Sequence, residues 1–311
     1  MLRFAVRRIV LAVPILLGIT TITFVLMWVI PGDLTQTLMD QKISTIDREV
    51  LKVARERWGL DDPFIVQYGR YLWNVVRGDL GVTYLTNERV RDTIVSRLPA
   101  TARLALAAVV ISTCLGIGAG LFTALRRGTY LDTAGMIVTL FGVSVPTFWL
   151  GLLLMWWLAV RWSLLPATGY GEGELSYLVL PAVTLGLSYA GAIARLTRSA
   201  TLDVLSADFV RTAWAKGASQ RIVTVRHLLP NAMVPVLTLI GINLGGLMAG
   251  SVVVETVFAW PGIGRLLVDA IQERNLFLVQ GCVLFFAVIF TIVNILVDLT
   301  YGLLDPRIRY D

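Results

Sequence analysis

The sequence is short of charge, of histidine and of lysine. Only 15% of its 311 residues are Asp, Glu, Lys or Arg, against about 25% in soluble domains. The single histidine, His227, excludes an HExxH site and any metal centre built from several imidazoles. The three lysines, Lys42, Lys52 and Lys216, follow Gln41, Leu51 and Ala215. A phosphate-binding loop needs Gly-Lys-Ser/Thr, so this polypeptide should not hydrolyse ATP by that route. The two cysteines, Cys114 and Cys282, both fall in apolar runs. They read as small buried hydrophobes rather than as a disulfide or metal ligands. No segment alternates with period two over about ten residues, which excludes a membrane β-barrel. None of the apolar runs holds an ionisable pair able to work as acid and base or as a proton relay. Asp298 is the one acidic residue embedded near the end of such a run, and an anchoring or packing role is expected for it.

Apolar sequence is what remains. Hydrophobic residues make up 56% of the chain and the mean hydropathy is +0.74. Six runs lack Asp, Glu, Lys and Arg: 9–30, 104–125, 133–160, 178–194, 233–254 and 276–297. A helix needs about 20 apolar residues to cross a bilayer core. Five runs reach that length, and the run 178–194 can extend past Arg195 if that side chain snorkels. The expected fold is an all-α membrane protein with six transmembrane helices. The first run has 22 residues, longer than the apolar core of a signal peptide, and no A-x-A-like site follows it. It is therefore expected to stay as the first span.

Six spans put both termini on one side. That side would carry thirteen arginines and lysines, among them Arg3, Arg7, Arg8, Arg126 and Arg127, against Arg161, Arg265 and Arg274 in the short loops opposite. The positive-inside rule then makes both termini and the segment 195–232 cytoplasmic. The net charge of +6 reflects this asymmetry, spread over separate loops, and does not point to nucleic acid. Four stretches follow: 1–30, the cytoplasmic N-terminus and first span; 31–100, an external helical segment; 101–305, a five-helix core with a cytoplasmic loop at about 195–232; and 306–311, a cytoplasmic tail.

In the external segment, one helix should lie among Val50, Leu51, Val53, Ala54 and Trp58 and stop at Gly59. A second should start with Asp61 and Asp62 as caps and Pro63 at its first position, with Phe64, Tyr68, Tyr71, Leu72 and Val75 on one stripe and Gly78 at its end. A third amphipathic piece carries Val90, Ile94 and Leu98 before Pro99. Packing over the spans, or docking of an external partner, are the two roles open to this cap. Gly116 and Gly120, Gly241 and Gly245, and Gly246 and Gly250 are spaced four apart, which permits close helix approach in lipid. Ordinary packing within the chain, a subunit interface and a pore wall all use such spacing; Asn243, Gly246, Gly250 and Ser251 are the candidate pore or interface residues. After the fifth span, Glu255, Trp260, Pro261 and Gly262 occupy a Pro/Gly-rich external turn. They are expected at an external gate or at a seat for a docking protein; a plain loop is the alternative.

The most informative segment is polar. In DFVRTAWAKGASQRIVTVRHLLPN (208–231), Phe209, Ala213 and Lys216 share one helix face with Thr212 beside them. Ser206 or Asp208 can cap this helix, and Gly217 should stop it in a left-handed conformation. Ser219 can then cap a second helix whose stripe is Ile222, Val225 and Leu229. The result is a short helix held off the membrane on two arms, with small residues for close seating and cations for a charged partner surface.

Arg211-Thr212-Ala213-x3-Gly217, closed by Leu229-Pro230, resembles the "EAA" loop of ABC importer permeases. Arginine stands at the usual glutamate position and His227 at a usually apolar one, and DFVRTAWAKG is similar to the dipeptide/oligopeptide branch. VIPGD (29–33), GLDDPFIVQYGRYL (59–72), RGDLG (77–81), LPAT (98–101), SVPTFWLG (144–151), LPATGY (165–170), ARLTRSATLDVL (194–205), ETVFAWPGIGRLLVDAI (255–271) and LLDPRIRY (303–310) look like that branch in its order, and like the first of its two permease subunits. The resemblance implies a type I ABC importer permease in a prokaryotic plasma membrane. It implies a heterodimer with a second homologous permease, two cytoplasmic ATPase subunits that bind ATP and magnesium, and an external substrate-binding protein, with no cofactor on this chain. Phe209, Arg211, Thr212, Ala213, Lys216 and Gly217 would then form the helix that couples to the ATPases, with Ala213 facing their groove. Peptides are the expected substrates. Nickel, glutathione and oligosaccharides are carried within the same family, and nickel has little local support because no span holds a histidine. Rivals of another class are an intramembrane enzyme, which the missing acid/base pair disfavours, and a passive channel or ion-coupled transporter.

Overall fold

The computed structural model describes residues 2–29, 62–83 and 88–304. The expected helix around 50–59, the VIPGD residues after Val29, Asp61 and the 306–311 tail lie outside the described residues. Twelve helices run in order through the described chain: α1 (Leu2–Val29), α2 (Phe64–Val76), α3 (Val90–Leu125), α4 (Tyr130–Ser144), α5 (Thr147–Leu154), α6 (Leu175–Leu205), α7 (Asp208–Ala215), α8 (Gln220–Val223), α9 (Leu229–Gly250), α10 (Val252–Val257), α11 (Ile263–Gln272) and α12 (Leu276–Leu304). The described residues form no strand, only one isolated antiparallel bridge between Val82 and Arg89.

Five helical stretches are long and apolar enough to cross a membrane, and the pair α4 and α5, bent by 102° at the break between them, makes a sixth when the two are counted as one span. The expected straight span over 133–160 is therefore broken. The cause is local: Pro146 disfavours helical backbone at the residue before it, and Val145 is extended at φ −78°, ψ 127°. Beyond α5 the helix widens into a π-helical turn over Met155–Arg161. The opposite correction applies at Pro99, where the sequence predicts a break between an amphipathic piece and the second span. Instead α3 runs unbroken for 36 residues with Pro99 inside it. Val90, Ile94, Ala100, Thr101 and Leu104 are all buried along it. Packing on both sides of the proline outweighs its helix penalty of about 3 kcal/mol. The fourth span extends past Arg195 to Leu205, as expected.

Two packed units divide the chain. The larger comprises Met1–Ile9, Leu98–Arg265 and Ile289–Asp311; the smaller comprises Val10–Arg97 and Leu266–Val288. The larger has its main core among Leu104, Ala108, Leu180, Leu185, Leu247 and Phe258. Gly116 and Gly120 bring α3 onto α6: a Cβ at Gly116 would lie 2.6 Å from the Ile193 side chain, and one at Gly120 would meet Ala194 O and the Thr197 side chain. Gly241 lies against Val297 and Gly245 against Phe290 and Val293, which packs α9 on α12. Of the three glycine pairs spaced four apart, these two serve packing within the chain. Asp132 and Arg198 tie α4 to α6 through two parallel bonds, Nε to Oδ1 at 2.8 Å and a terminal guanidinium nitrogen to Oδ2 at 2.9 Å. Arg8 pairs with Asp298 at 3.1 Å, which joins an early turn of α1 to a late turn of α12.

In the smaller unit, the Phe24 ring of α1 meets Phe64 edge-on, Tyr68 at a tilt and Tyr71 stacked, all on α2 at 5.3–5.4 Å, and Thr21 shares a hydrogen bond with the Tyr68 hydroxyl. The α2 stripe is the expected one, and Gly78 ends it at φ +75°. The aspartate cap is not. Pro63 precedes the first helical residue without a side-chain cap, and the Asp62 carboxylate instead accepts from Arg70 at 2.5 Å. Val90 and Ile94 pack against Gly281.

A matched pair of substitutions tests the α3–α6 contact. Gly120→Leu should lower the unfolding temperature of the purified protein in detergent, because overpacking costs about 1–3 kcal/mol. Gly118→Leu, where a Cβ meets nothing within 4 Å, should leave it unchanged. Equal behaviour of the two would contradict the packing.

Candidate functional site

The polar segment after α6 folds as a helix, a glycine stop and a second arm. α7 spans Asp208–Ala215, and Lys216 follows it at φ −80°, ψ 4°. Gly217 then takes φ +80°, the left-handed conformation expected of the stop. The turn closes through Gly217 N–H to Trp214 O at 2.9 Å and Ala218 N–H to Ala213 O at 3.2 Å, which satisfies carbonyls that the helix end would leave bare. The caps differ from expectation. Ala207 stands before α7 with no side-chain cap, and the Ser206 hydroxyl donates back to Asp203 O. Ser219 does precede α8, but without a capping bond.

The larger correction concerns Ala213, which sequence reasoning places toward a partner. Ala213 is buried with Val210, Val223 and Leu228, and Leu125, Val204, Leu205 and Ala218 pack against them. This cluster braces α7 on the ends of α3 and α6. Ala213 thus faces the chain itself, because a helix with a single apolar stripe turns it to the nearest hydrophobic neighbours. The face left open carries Arg211, Thr212 and Lys216. Phe209 and Trp214 flank it at 46% and 44% exposure. Arg211 has a long ion pair to Asp208, 3.7 Å with both side chains exposed, of the kind worth little in water. Trp214 was not among the residues expected here, though the Phe209–Trp214 spacing of five could have marked it as the second flank.

The second cluster surrounds the turn between α10 and α11. Ser251 breaks the helix at φ −74°, ψ 12°, and α10 begins one residue later. Glu255 is completely buried. Its Oε1 accepts from the Thr101 hydroxyl at 2.9 Å and from the Ser251 hydroxyl at 2.7 Å, and its Oε2 accepts from Arg265 N–H at 3.1 Å. Thr101 Oγ1 in turn accepts from Ile263 N–H at 2.9 Å. A Cβ on Gly262 would strike the carboxylate, and one on Gly264 would lie 2.6 Å from the Val252 backbone, so only glycine lets the chain pass this close. Trp260 is 1% exposed. Its Nε1–H donates to Ala100 O at 2.9 Å, and the Tyr170 ring meets it edge-on at 4.8 Å. Arg103 donates to the Tyr170 hydroxyl at 2.9 Å. Ala259 holds φ +52°, and the Arg265 guanidinium donates to its carbonyl at 2.7 Å.

Neither Glu255 nor Trp260 can touch a protein docked outside, since both side chains are sealed inside the chain. Their place is to hold the turn, while Pro261 is only half-buried and Gly262 is buried. Of the expected pore or interface residues, Ser251 and Asn243 are buried within the chain, while Gly246 is only half-buried. Ser251 is buried on Glu255, and Asn243 is 8% exposed, with its Nδ2 lacking a hydrogen-bond partner among the described residues. Gly246 meets only the Tyr189 hydroxyl, at an ordinary 3.8 Å from a built Cβ. Gly250 is the last residue of α9. Thr101, Tyr170 and Arg265 were not expected in this cluster. The first two belong to the LPAT and LPATGY stretches, whose partners lie about 90 to 160 residues away, and nothing local marks the pairing.

Two sets of variants follow. Thr101→Val and Ser251→Ala each leave the buried carboxylate short of a donor and should destabilise the protein by about 1–3 kcal/mol. Trp260→Ala should do so by about 3–5 kcal/mol through its cavity, with impaired assembly rather than a selective functional loss. Thermal unfolding of the purified chain measures both, and a wild-type midpoint in all three would contradict the network. In the polar segment, Ala213→Asp buries an unpartnered carboxylate and should expose the Arg211–Lys216 region to limited proteolysis. Gly217→Val should do the same through backbone strain of about 1–3 kcal/mol, since no atom lies within 4 Å of the added Cβ. A wild-type digestion pattern in both would contradict the packing of α7.

The sequence matches two family models. Residues 116–310 match the binding-protein-dependent transport system inner membrane component, and residues 1–105 match the N-terminal part of such membrane components. Among curated relatives, the dipeptide transport system permease protein DppB of Alkalihalophilus pseudofirmus is 36% identical over all of both chains. The protein of the same name from Escherichia coli K12 is 38% identical over all of this chain and 99% of its own. Among solved structures, a chain of the MetNI methionine ABC transporter in an inward-facing conformation superposes with a TM-score of 0.60 at 17% identity, over 68% of this chain and 96% of that one. That likeness lies in the fold. From the first span to the last, this chain belongs to the binding-protein-dependent transport system inner membrane components, and is a multi-pass permease subunit of the ABC importer kind.

Proposed function

We propose that the chain is one half of the pore of an ATP-driven importer for di- or oligopeptides, paired with a second, homologous permease. The reading is supported by relatives at 36% and 38% identity that are named as dipeptide permeases and align over the whole chain. ATP and magnesium belong to two ATPase subunits on the cytoplasmic side, and substrate arrives on an external binding protein. The chain itself needs no cofactor and performs no catalysis. Both termini and the 195–232 loop are cytoplasmic, in keeping with the cation asymmetry of the loops; the 62–97 region and the turn after α10 are external.

The observation that carries the coupling role is the shape of α7. Its inner stripe is anchored on α3 and α6, and its outer face offers two half-exposed aromatics around a cationic strip. Aromatic side chains are frequent anchors at protein interfaces. In this reading Phe209 and Trp214 seat α7 in an ATPase groove, Arg211, Thr212 and Lys216 line the contact, and Ala213 and Gly217 keep the helix in shape. The rigid turn around Glu255 forms a fixed part of the external gate.

The test is the double variant Phe209→Ala, Trp214→Ala in the complex with its second permease and ATPases, reconstituted in lipid. Loss of interface anchors of about 2 kcal/mol or more should strip the ATPases during purification, or leave ATP hydrolysis running without peptide uptake, while the two permeases stay paired. Wild-type uptake by this variant would overturn the coupling role of α7.

A further inference from the structure

Beyond Pro146, α5 and the π-helical turn over Met155–Arg161 form an arm bent by 102° from α4. The arm turns its small residues to its own chain. Gly151 is buried, and a Cβ there would meet the Phe258 ring at 3.1 Å and the Thr184 side chain at 3.3 Å. Ala159 packs on the main core. The bulky residues point away from it: Trp149, Leu152, Leu153, Trp156, Trp157 and Val160 are 40–63% exposed. Their spacing alternates between three and one, so they share one continuous face.

Hydrogen-bond donors gather at the far end of this face. Trp162 N–H donates to Trp157 O at 3.1 Å across five residues, the π-helical pattern. Five residues of α-helix would run well past one turn. The wider turn instead brings the two indoles together, stacked at 5.3 Å and 24°. Arg161 is exposed beside them and is the only charged residue between Asp132 and Glu172. Among the described residues, neither its guanidinium nor the indole N–H of Trp156, Trp157 or Trp162 has an acceptor on the protein. Indole and guanidinium donate and accept nothing. An acceptor-rich, negatively charged group is therefore the complement of this cluster.

We propose that this end of the arm binds the headgroup of an anionic phospholipid. Arg161 takes the phosphate, the three indole N–H groups take phosphate and ester oxygens, and the acyl chains lie along Trp149, Leu152, Leu153 and Val160. A second permease fits this face less well. Helices that meet in lipid approach through small residues, and here Gly151 and Ala159 face inward. Tryptophan is enriched where a span meets the membrane–water boundary, and an arginine there reaches the headgroups with its stem in the apolar layer. The inference rests on the membrane fold of the chain and not on what the chain transports.

The experiment titrates the full chain, purified in mild detergent, with dioleoylphosphatidylglycerol, with dioleoylglycerol or with inorganic phosphate. Native mass spectrometry counts what each chain retains. The wild type should retain phosphatidylglycerol and neither of the others. Arg161→Gln should raise the half-saturating concentration about tenfold, the worth of one charged hydrogen bond. The triple variant Trp156→Phe, Trp157→Phe, Trp162→Phe keeps the rings, loses the donors and should weaken retention several-fold. Arg127→Gln, which removes an exposed cation before α4, should bind as the wild type does. Should the triple variant fail to fold, Arg161→Gln carries the test, because it changes one exposed side chain. Wild-type half-saturation in Arg161→Gln, or an equal loss in Arg161→Gln and Arg127→Gln, would overturn the site; the second result would leave bulk charge attraction only. Equal retention of dioleoylglycerol would overturn it as well, and so would saturation by inorganic phosphate alone. Release of the second permease from the assembled transporter by Arg161→Gln, with lipid retention unchanged, would make the face a subunit interface and also overturn the proposal.

Discussion

The arrangement on which the turn between α10 and α11 depends is the buried carboxylate of Glu255. A charged or polar group removed from water is tolerated only when its hydrogen-bonding capacity is met inside the protein. Glu255 meets the demand with donors from three parts of the chain: the Thr101 hydroxyl on α3, the Ser251 hydroxyl at the break after α9, and the Arg265 amide in α11. Each donor brings its own segment. Thr101 also accepts from Ile263, so α3 is joined to the start of α11 twice. Trp260 adds a third link by donating to Ala100. With these bonds made, the chain has to pass against the carboxylate at Gly262 and Gly264, and Ala259 has to take an uncommon left-handed conformation, which the Arg265 guanidinium secures from the side.

The other end of the same helices is built on different physics. No buried charge organises α7. Its position comes from a small apolar cluster that joins Val210 and Ala213 to Leu125 at the end of α3 and to Val204 and Leu205 at the end of α6. Close by in sequence, the two-bonded pair of Asp132 and Arg198 fastens α4 to α6. A short helix held this way has little stability of its own, because isolated helices of this length are marginal in water. It keeps its shape through its contacts with the long helices, and a displacement of α7 therefore acts on α3 and α6 directly. That mechanical link suits the coupling role proposed for it. The two aromatics on its outer flanks are what a partner could grip.

Much was legible in the sequence because the chemistry of a bilayer is restrictive. Apolar runs near 20 residues have few alternatives to spanning helices, and the six crossings follow from counting them. Gly217 was recognisable as a helix stop because few other residues accept its conformation. The short stripe of α2 was readable because Phe64, Tyr68 and Tyr71 recur at helical spacing. The whole-chain order of motifs was enough to place the chain in its family. These are features that neighbours in sequence decide among themselves.

What tertiary structure alone decided is which way each face turns and where a proline wins. Pro99 and Pro146 are the same residue type with the same local penalty, yet α3 continues through the first and the span breaks at the second, because buried side chains flank Pro99 on both sides. Ala213 looks equally able to face a partner or its own chain until Leu125, Val204 and Leu228 supply the apolar surface it packs against. Glu255 and Trp260 look like an exposed loop until Thr101 and Ala100, more than 150 residues away, provide their hydrogen bonds. Sequence by itself determined the membrane-spanning, all-helical class, the polar segment and its glycine stop, because those depend on hydrophobicity and backbone conformation within a few residues. The buried network and the facing of α7 depend on partners distant along the chain, and only folding brings those together.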